Sequence, residues 1–317
     1  MHQKHIAIFT IENDLHALAV KKAFEDYKDV ICHIIEVDRI CNSSGLSWSS
    51  TEPSVIPTRD GELLDVRNLH LIWWRRINYP QKVPASVIDP AQIDLINNDC
   101  RAAFFGLLFT KFSGQWINEP NATLVAENKL VQLHIAQHAG FRVPRTLVSQ
   151  DPRRIREFYT MLGGSVIVKP VRGTHQVHLL TKMLTEEHIT SEDSLRLCPA
   201  IYQEYIPGCL HLRVHCFGHA FYTVLIESRE LDWRINLDVP FRPFDLPEDT
   251  KMRIHRILTA LGIKMGIIDL KLAQNTTPVW LEVNPQGQFL FVEGTSGLGL
   301  TSAFVEFLYQ EVNQIAL

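Results

Sequence analysis

The chain has 317 residues, enough for two or three domains at roughly 100 to 200 residues each, and its 46% hydrophobic and 21% charged composition excludes a disordered or fibrous polymer. With 31 Lys+Arg against 35 Asp+Glu the formal charge is −4, so no global basic field favours nucleic acid or an anionic membrane as a partner. The six cysteines include no C-x-x-C pair, the apolar run at 102–110 is far short of the ~20 residues that span a bilayer, and 6–11 is too short for a secretory segment, so reduced thiols and a cytoplasmic location are expected.

Apolar runs and helical patterns then alternate. Ile6-Ala7-Ile8-Phe9 reads as a buried strand, 14–27 as a helix with Leu15, Leu18, Ala19 and Phe24 inward, and 30–37 as a second strand, a β-α-β opening. The Ser-, Pro- and Gly-rich stretch 42–57 is a loop, 69–74 another strand and 91–112 a long helix, and a first boundary is expected near Gln115. In the second unit Leu130, Leu133, Ala136 and Ala139 define one helix face ending at Gly140. A strand at 146–148 follows, then a helix from Asp151-Pro152 to Leu162. The strand Ser165-Val166-Ile167-Val168-Lys169-Pro170 sets a point charge at a strand end; taken alone, that pattern is more often a snorkelling lysine than a ligand.

The third unit begins near Pro199. Residues 201–206 and 212–217 read as strands, the second with Arg213 and His215 on the face opposite Leu212, Val214 and Cys216. Strands 267–273 and 279–283, joined through 274–277, carry Asp269, Glu282 and Asn284. A four-residue connection pairs Asp269 with Glu282, and Asn284 shares a face with Glu282. Three hard oxygen donors then converge, a set that Mg²⁺ accepts when phosphates and water complete its octahedron. A slip of one residue would turn Asp269 to the opposite face from the other two, and the competing reading is that all three are solvent-facing polar positions on a half-buried hairpin. The pairs His134/His138 and His211/His215 lack a third ligand at a recognisable spacing, and no cysteine carries a nucleophile pattern.

The order of these pieces is more specific than any one of them. Glu127-Asn128-Lys129 opening a helix, Val-Ile-Val-Lys169-Pro, Gln203-Glu204-Tyr205-Ile206, Asp269 and Leu-Glu282-Val-Asn284-Pro resemble the ATP-grasp ligases along the whole chain. Within that superfamily, Trp73-Trp74-Arg75-Arg76, the run from Glu127-Asn128-Lys129-Leu130 to Gly140-Phe141-Arg142-Val143-Pro144, Asp232-Trp233-Arg234 and Asn284-Pro285-Gln286-Gly287-Gln288-Phe289 are similar to the microviridin-type peptide ligases, or graspetide synthetases. Trp73-Trp74-Arg75-Arg76 can equally be a buried strand end with two solvated cations.

The resemblance implies an α/β ATP-grasp fold, α+β in its C-terminal half. It would have an N-terminal Rossmann-like domain (1–115), a central subdomain (116–198) and a C-terminal subdomain holding the metals (199–317). It implies ATP and two Mg²⁺ as cofactors, Lys129 and Lys169 on the phosphates, the backbone of Gln203, Glu204, Tyr205 and Ile206 on the adenine, and Asp269, Glu282 and Asn284 on the metals. Arg213, Arg234 and Lys169 would act on the transferring phosphoryl group, since a guanidinium fork matches phosphate oxygens. His211 stands where the family usually carries an acidic residue accepting from the ribose, a task a neutral imidazole can share. The loop 171–176 has one glycine where many relatives have several. The implied activity is phosphorylation of Asp or Glu side chains of a ribosomal precursor peptide with a leader, then ring closure to an ester or amide. The implied assembly is a homodimer, with leader contacts in the central subdomain. The alternatives are a small-molecule ATP-grasp ligase of the glutathione synthetase type and a non-catalytic nucleotide- or peptide-binding module.

Overall fold

In the computed structural model, residues 3–43, 45–174, 179–273 and 277–314 are described; the connection at 274–276 and His175 and Gln176 of the single-glycine loop lie outside them. In chain order the strands are β1 (Lys4–Thr10), β2 (Val30–Glu36), β3 (Val55–Pro57), β4 (Leu63–Asp65), β5 (Leu71–Trp74), β6 (Gln115–Ile117), β7 (Thr146–Ser149), β8 (Val166–Pro170), β9 (Lys182–Met183), β10 (Ala200–Glu204), β11 (Leu210–Phe217), β12 (Ala220–Glu227), β13 (Phe241–Pro243), β14 (Met265–Leu272) and β15 (Pro278–Asn284). The helices are α1 (Leu15–Ala23), α2 (Pro90–Lys111), α3 (Pro120–Ala126), α4 (Lys129–His138), α5 (Pro152–Met161), α6 (Glu186–Thr190), α7 (Glu192–Leu197), α8 (Glu248–Leu261), α9 (Leu290–Ser296) and α10 (Leu300–Asn313). No helix among the described residues is long and apolar enough to cross a membrane, and all six cysteines are free thiols.

Two compact units result, one of Met1–Asn121, Gln286–Glu293 and Gly299–Leu317, the other of Ala122–Pro285 and Gly294–Leu298. This grouping cuts the chain differently from boundaries at 115/116 and 198/199: α10 belongs with the N-terminal strands, and β10 pairs with β7 and β8.

In the first unit the apolar strands form a parallel sheet in the order β2-β1-β5-β6, buried on both faces as parallel sheets require. Ala7, Phe9, Ile35, Ile72 and Trp74 pack against Phe104, Leu107 and Leu108 of α2, while Trp73 on the opposite face stacks on Phe304 of α10, 4.6 Å between ring centres. Of the face expected for the first helix, Phe24 is buried and Leu18 and Ala19 are half-buried. Leu15 is 70% exposed, and His16, Ala17 and Val20 are buried instead, because the His16 Nε2 accepts hydrogen bonds from the Phe289 and Leu290 N–H groups at 2.9 and 3.1 Å.

The second unit holds a sheet in the order β7-β10-β8-β9 and a five-stranded antiparallel sheet in the order β13-β12-β11-β14-β15. Asp151 caps α5, whose Ile155 packs against Val166 and Tyr202 of the smaller sheet. One face of the larger sheet (Leu212, Val214, Ile268, Leu270, Trp280, Val283) is sealed by Ile254, Ile257 and Leu258 of α8 and Ala136 of α4. Its other face is thereby left to polar residues. On α4 the expected face holds at Ala136, with Leu133 and Ala139 half-buried against the core, while Leu130 is 42% exposed and Gln132 is buried.

Candidate active site

Period-two alternation puts Arg213 and Asp269 on the face of the larger sheet opposite its core, and Glu282 joins them through an irregularity in the β14/β15 pairing. The register makes them one row across three strands, Arg213 opposite Asp269 on β11/β14 and Asp269 opposite Glu282 on β14/β15. The expected pairing holds by an indirect route. Next to the connection Leu272 faces Pro278 and Leu270 faces Trp280, a register that would set Asp269 against Leu281. An irregularity between Asp269 and Leu270 leaves Leu281 as the extra residue and returns Glu282 to Asp269. Leu281 and Glu282 then line the same cavity.

Gln132 holds this segment from behind. Its Nε2 donates to Val283 O at 2.8 Å and its Oε1 accepts from Val283 N at 2.9 Å, fixing the backbone between Glu282 and Asn284. Asn128 caps α4 by accepting from Leu130 N at 3.0 Å, which makes Lys129 the first helical residue, with its Nζ 3.3 Å from Glu282 Oε2. Lys169, second to last in β8, lies opposite Ile201 and opens on the same cavity as Ile167 and Gln203.

The cavity, of about 240 Å³, is thus lined by Lys129, Lys169, Gln203, His211, Arg234, Asp269 and Glu282 from the expected set. Arg213 donates through one Nη to both Asp269 oxygens at 2.9 and 3.0 Å, with its guanidinium 5.4 Å from the Trp233 ring centre. Arg234 forms a two-bond fork with Asp232 at 2.7 and 2.6 Å. Asn284 ends β15 opposite Ile267, exposed and two residues beyond Glu282. The Glu204 carboxylate turns to Arg145 and Arg142, and the Glu204 and Tyr205 N–H groups donate to Arg145 O and Ser165 O. Of the expected base-reading donors, the Ile206 N–H has no such pairing among the described residues. His211 is the larger departure. Its Nε2 accepts from the Lys271 ammonium at 3.0 Å and its ring also bonds the Ser228 backbone, so the acceptor foreseen for a sugar hydroxyl is engaged. Leu281, Asp232 and Trp233 also line the cavity and were missed as site residues; Leu281 takes that face by simple alternation from the core residue Trp280.

Electrostatics separate the two facing carboxylates. Burial pushes the Asp269 carboxyl up against the pull of Arg213, whereas for Glu282 the opposing burial is outweighed by Lys129, Lys169 and Arg234, which hold it at about 2. Burial, with Lys129 and Arg234 nearby, lowers Lys169 to about 8 although Glu282 pulls it up; burial also brings Lys271 to about 8 and His211 to about 4.

This donor set fits a magnesium nucleotide. Two facing carboxylates supply hard oxygens, two lysines supply countercharge for phosphates, and the buried Gln203 Oε1, without a hydrogen-bond partner among the described residues, supplies an acceptor suited to an exocyclic amine. Among the described residues no group of three or more His, Cys, Asp or Glu could hold a metal ion, so a cation here needs the amide of Asn284 or ligand phosphates as well. The rings of His134 and His138 on α4 lie 4.2 Å apart between centres and tilted to each other, and among the described residues no further His, Cys, Asp or Glu completes a metal group with them.

No protein-family model matches the chain. It is 27% identical over 197 residues to a probable alpha-L-glutamate ligase 1 of Shewanella sp. (strain MR-4), covering 59% of this chain and 64% of that protein, so the match spans less than two thirds of the curated relative. Among solved structures, macrocyclase MdnC of Microcystis aeruginosa MRC, bound with precursor peptide MdnA, superposes with a TM-score of 0.87 at 24% identity over 96% of this chain and 99% of that one. The Chryseobacterium gregarium RiPP-associated ATP-grasp ligase, in complex with ADP and a leader and core peptide, gives 0.85 at 21% identity over 98% and 97%. The mixed architecture, the carboxylate pair on the larger sheet and these superpositions lead to one conclusion: the chain has the ATP-grasp fold.

Proposed function

We propose that the protein is an ADP-forming ATP-grasp ligase that activates Asp or Glu side chains of a ribosomal precursor peptide and closes them onto a hydroxyl or amine of the same peptide. The observation that carries this is the facing pair Asp269 and Glu282, which lines one cavity with Lys129 and Lys169. The peptide substrate is inferred from the two solved structures, one bound with precursor peptide MdnA and the other in complex with a leader and core peptide. A homodimer and a cytoplasmic setting belong to the same proposal.

A substrate carboxylate oxygen attacks the γ-phosphorus of ATP, the bond to the β-phosphate oxygen breaks, and ADP leaves. The hydroxyl or amine then attacks the acyl-phosphate carbonyl, releasing phosphate and a proton. Lys129 and Lys169 reduce the repulsion between the polyphosphate and the incoming carboxylate, and Arg213 and Arg234 carry further positive charge beside them. Asp269, Glu282 and Asn284 would hold Mg²⁺, which when bound neutralises phosphate charge. The chain's own contribution is orientation and exclusion of water from the acyl-phosphate, worth several orders of magnitude in rate.

The decisive experiment is mass spectrometry after incubation with MgATP and short peptides encoded beside its gene. Each ring appears as the loss of one water with release of ADP, and Glu282→Gln and Lys169→Ala abolish both at unchanged circular dichroism. Full activity in either variant would exclude the site. A second reading, ligation of a small amino acid, is favoured by the likeness to the glutamate ligase; peptide-independent ADP release with glutamate would select it.

A further inference from the structure

The first unit contains a cavity that the nucleotide site does not use. Strand β1 has β2 on one side and β5 on the other, so the connections leave it in opposite directions. In open parallel sheets such a reversal opens a crevice at the carboxyl ends of the strands. A cavity of about 180 Å³ lies there, between the residues that follow β2 (Val37, Ile40), those that follow β5 (residues 77–81) and the middle of α2. Its floor is apolar: Ile40, Ile77 and Phe104 are at most 9% exposed.

The polar groups around this floor differ in what they have left to offer. Gln81 and Asn97 are structural. Gln81 Nε2 donates to Val37 O at 2.7 Å, its Oε1 accepts from Cys41 N at 3.1 Å, and Asn97 Oδ1 accepts from Gln81 N at 2.6 Å. Arg101 Nη2 donates to Asn78 Oδ1 at 3.1 Å, and among the described residues the Asn78 amide nitrogen and the other Arg101 donors form no further hydrogen bond. Arg101 rests 5.6 Å from the Phe105 ring centre and forms no ion pair among the described residues, and no Asp or Glu lines the cavity. An apolar floor beneath a donor-rich rim with one uncompensated cation matches a ligand that joins an apolar group to a carboxylate.

We propose that this cavity is a peptide-binding subsite that receives an apolar or aromatic side chain on Ile40, Ile77 and Phe104 and pairs the neighbouring acidic side chain with Arg101. The identification of the ligand as a peptide rests on the ligase reading above. The cavity's own chemistry demands only the apolar group and the carboxylate.

The test uses the full chain and the blocked dipeptides N-acetyl-Phe-Asp-amide and N-acetyl-Phe-Asn-amide, titrated by ligand-observed NMR, with MgADP titrated into the same samples. The acidic dipeptide binds the native protein, and binding falls by about tenfold or more for the asparagine analogue and for Arg101→Gln, the loss expected for one charged hydrogen bond. MgADP affinity is unchanged by Arg101→Gln. Absence of dipeptide binding, or equal binding of the two dipeptides, or equal binding by Arg101→Gln, overturns the subsite. Native protein that binds the acidic dipeptide but not MgADP would instead overturn the nucleotide reading and leave the subsite standing.

Discussion

Lys169 gives the nucleotide site a pH dependence that follows from its surroundings. Its ammonium is pulled down to about 8 by burial and by Lys129 and Arg234, against the opposing pull of Glu282 and Asp232. At pH 7 about nine tenths of Lys169 is charged, and at pH 9 about one tenth. If the charged form is the one that binds phosphate, MgADP affinity falls about tenfold between those values, with log affinity approaching one unit lost per pH unit above 8. Below pH 7 the charge is complete and the profile flattens. Lys271 also sits at about 8, held against His211, so the variant that assigns the effect is Lys169→Arg, whose guanidinium keeps its charge throughout while Lys271 is untouched. Calorimetric titration of MgADP from pH 7 to 9 reads the slope directly. A flat native profile, or the same break in Lys169→Arg, refutes the argument.

Three further outcomes follow from particular contacts. Arg75, fully buried, donates to both Asp14 oxygens and to Gly287 O, so Arg75→Met strands a buried carboxylate and lowers stability by about 3–5 kcal/mol in urea denaturation, part of which Asp14→Asn restores; a loss below about 1 kcal/mol would contradict the pairing. Because His211 gives its acceptor to Lys271, MgADP and its 2′-deoxy analogue bind within about threefold of each other, whereas a preference above about tenfold for the ribonucleotide shows that a sugar hydroxyl is being read. His16 and His215 are buried and both lie near 3, driven down by burial and by Arg75 and Arg213. Their folded values lie below the unfolded 6.5, so protonation of the unfolded chain costs about 2 kcal/mol per histidine as pH falls from 6.5 to 5. Acid denaturation curves of His16→Gln and His215→Gln should lose that slope.

Much of the fold was legible because it is written in local terms. The apolar run at β1, the Asp151-Pro152 start of α5 and the Gly140 stop after α4, where φ is +87°, each depend on neighbours in sequence. Helix faces were less legible. On α1 and α4 the buried positions include His16 and Gln132, polar residues whose hydrogen-bond partners, at 289–290 and at Val283, lie more than 150 residues away in the chain. Burial of a polar group is favourable only once its partner is in place, which no periodicity can reveal.

For the site the division is similar. From the sequence, hairpin spacing brought Asp269 and Glu282 together, and the order of motifs, through its resemblance to the ATP-grasp ligases, added Lys129 and Lys169 to the same constellation. Only the tertiary structure decided how they meet. The extra residue Leu281 corrects a register that the hairpin itself would have missed, Arg213 and Lys129 choose the carboxylates as partners, and Lys271 takes the acceptor of His211. Charges and hydrogen bonds act through space over a few ångströms, and distance in space is the quantity a linear chain does not carry.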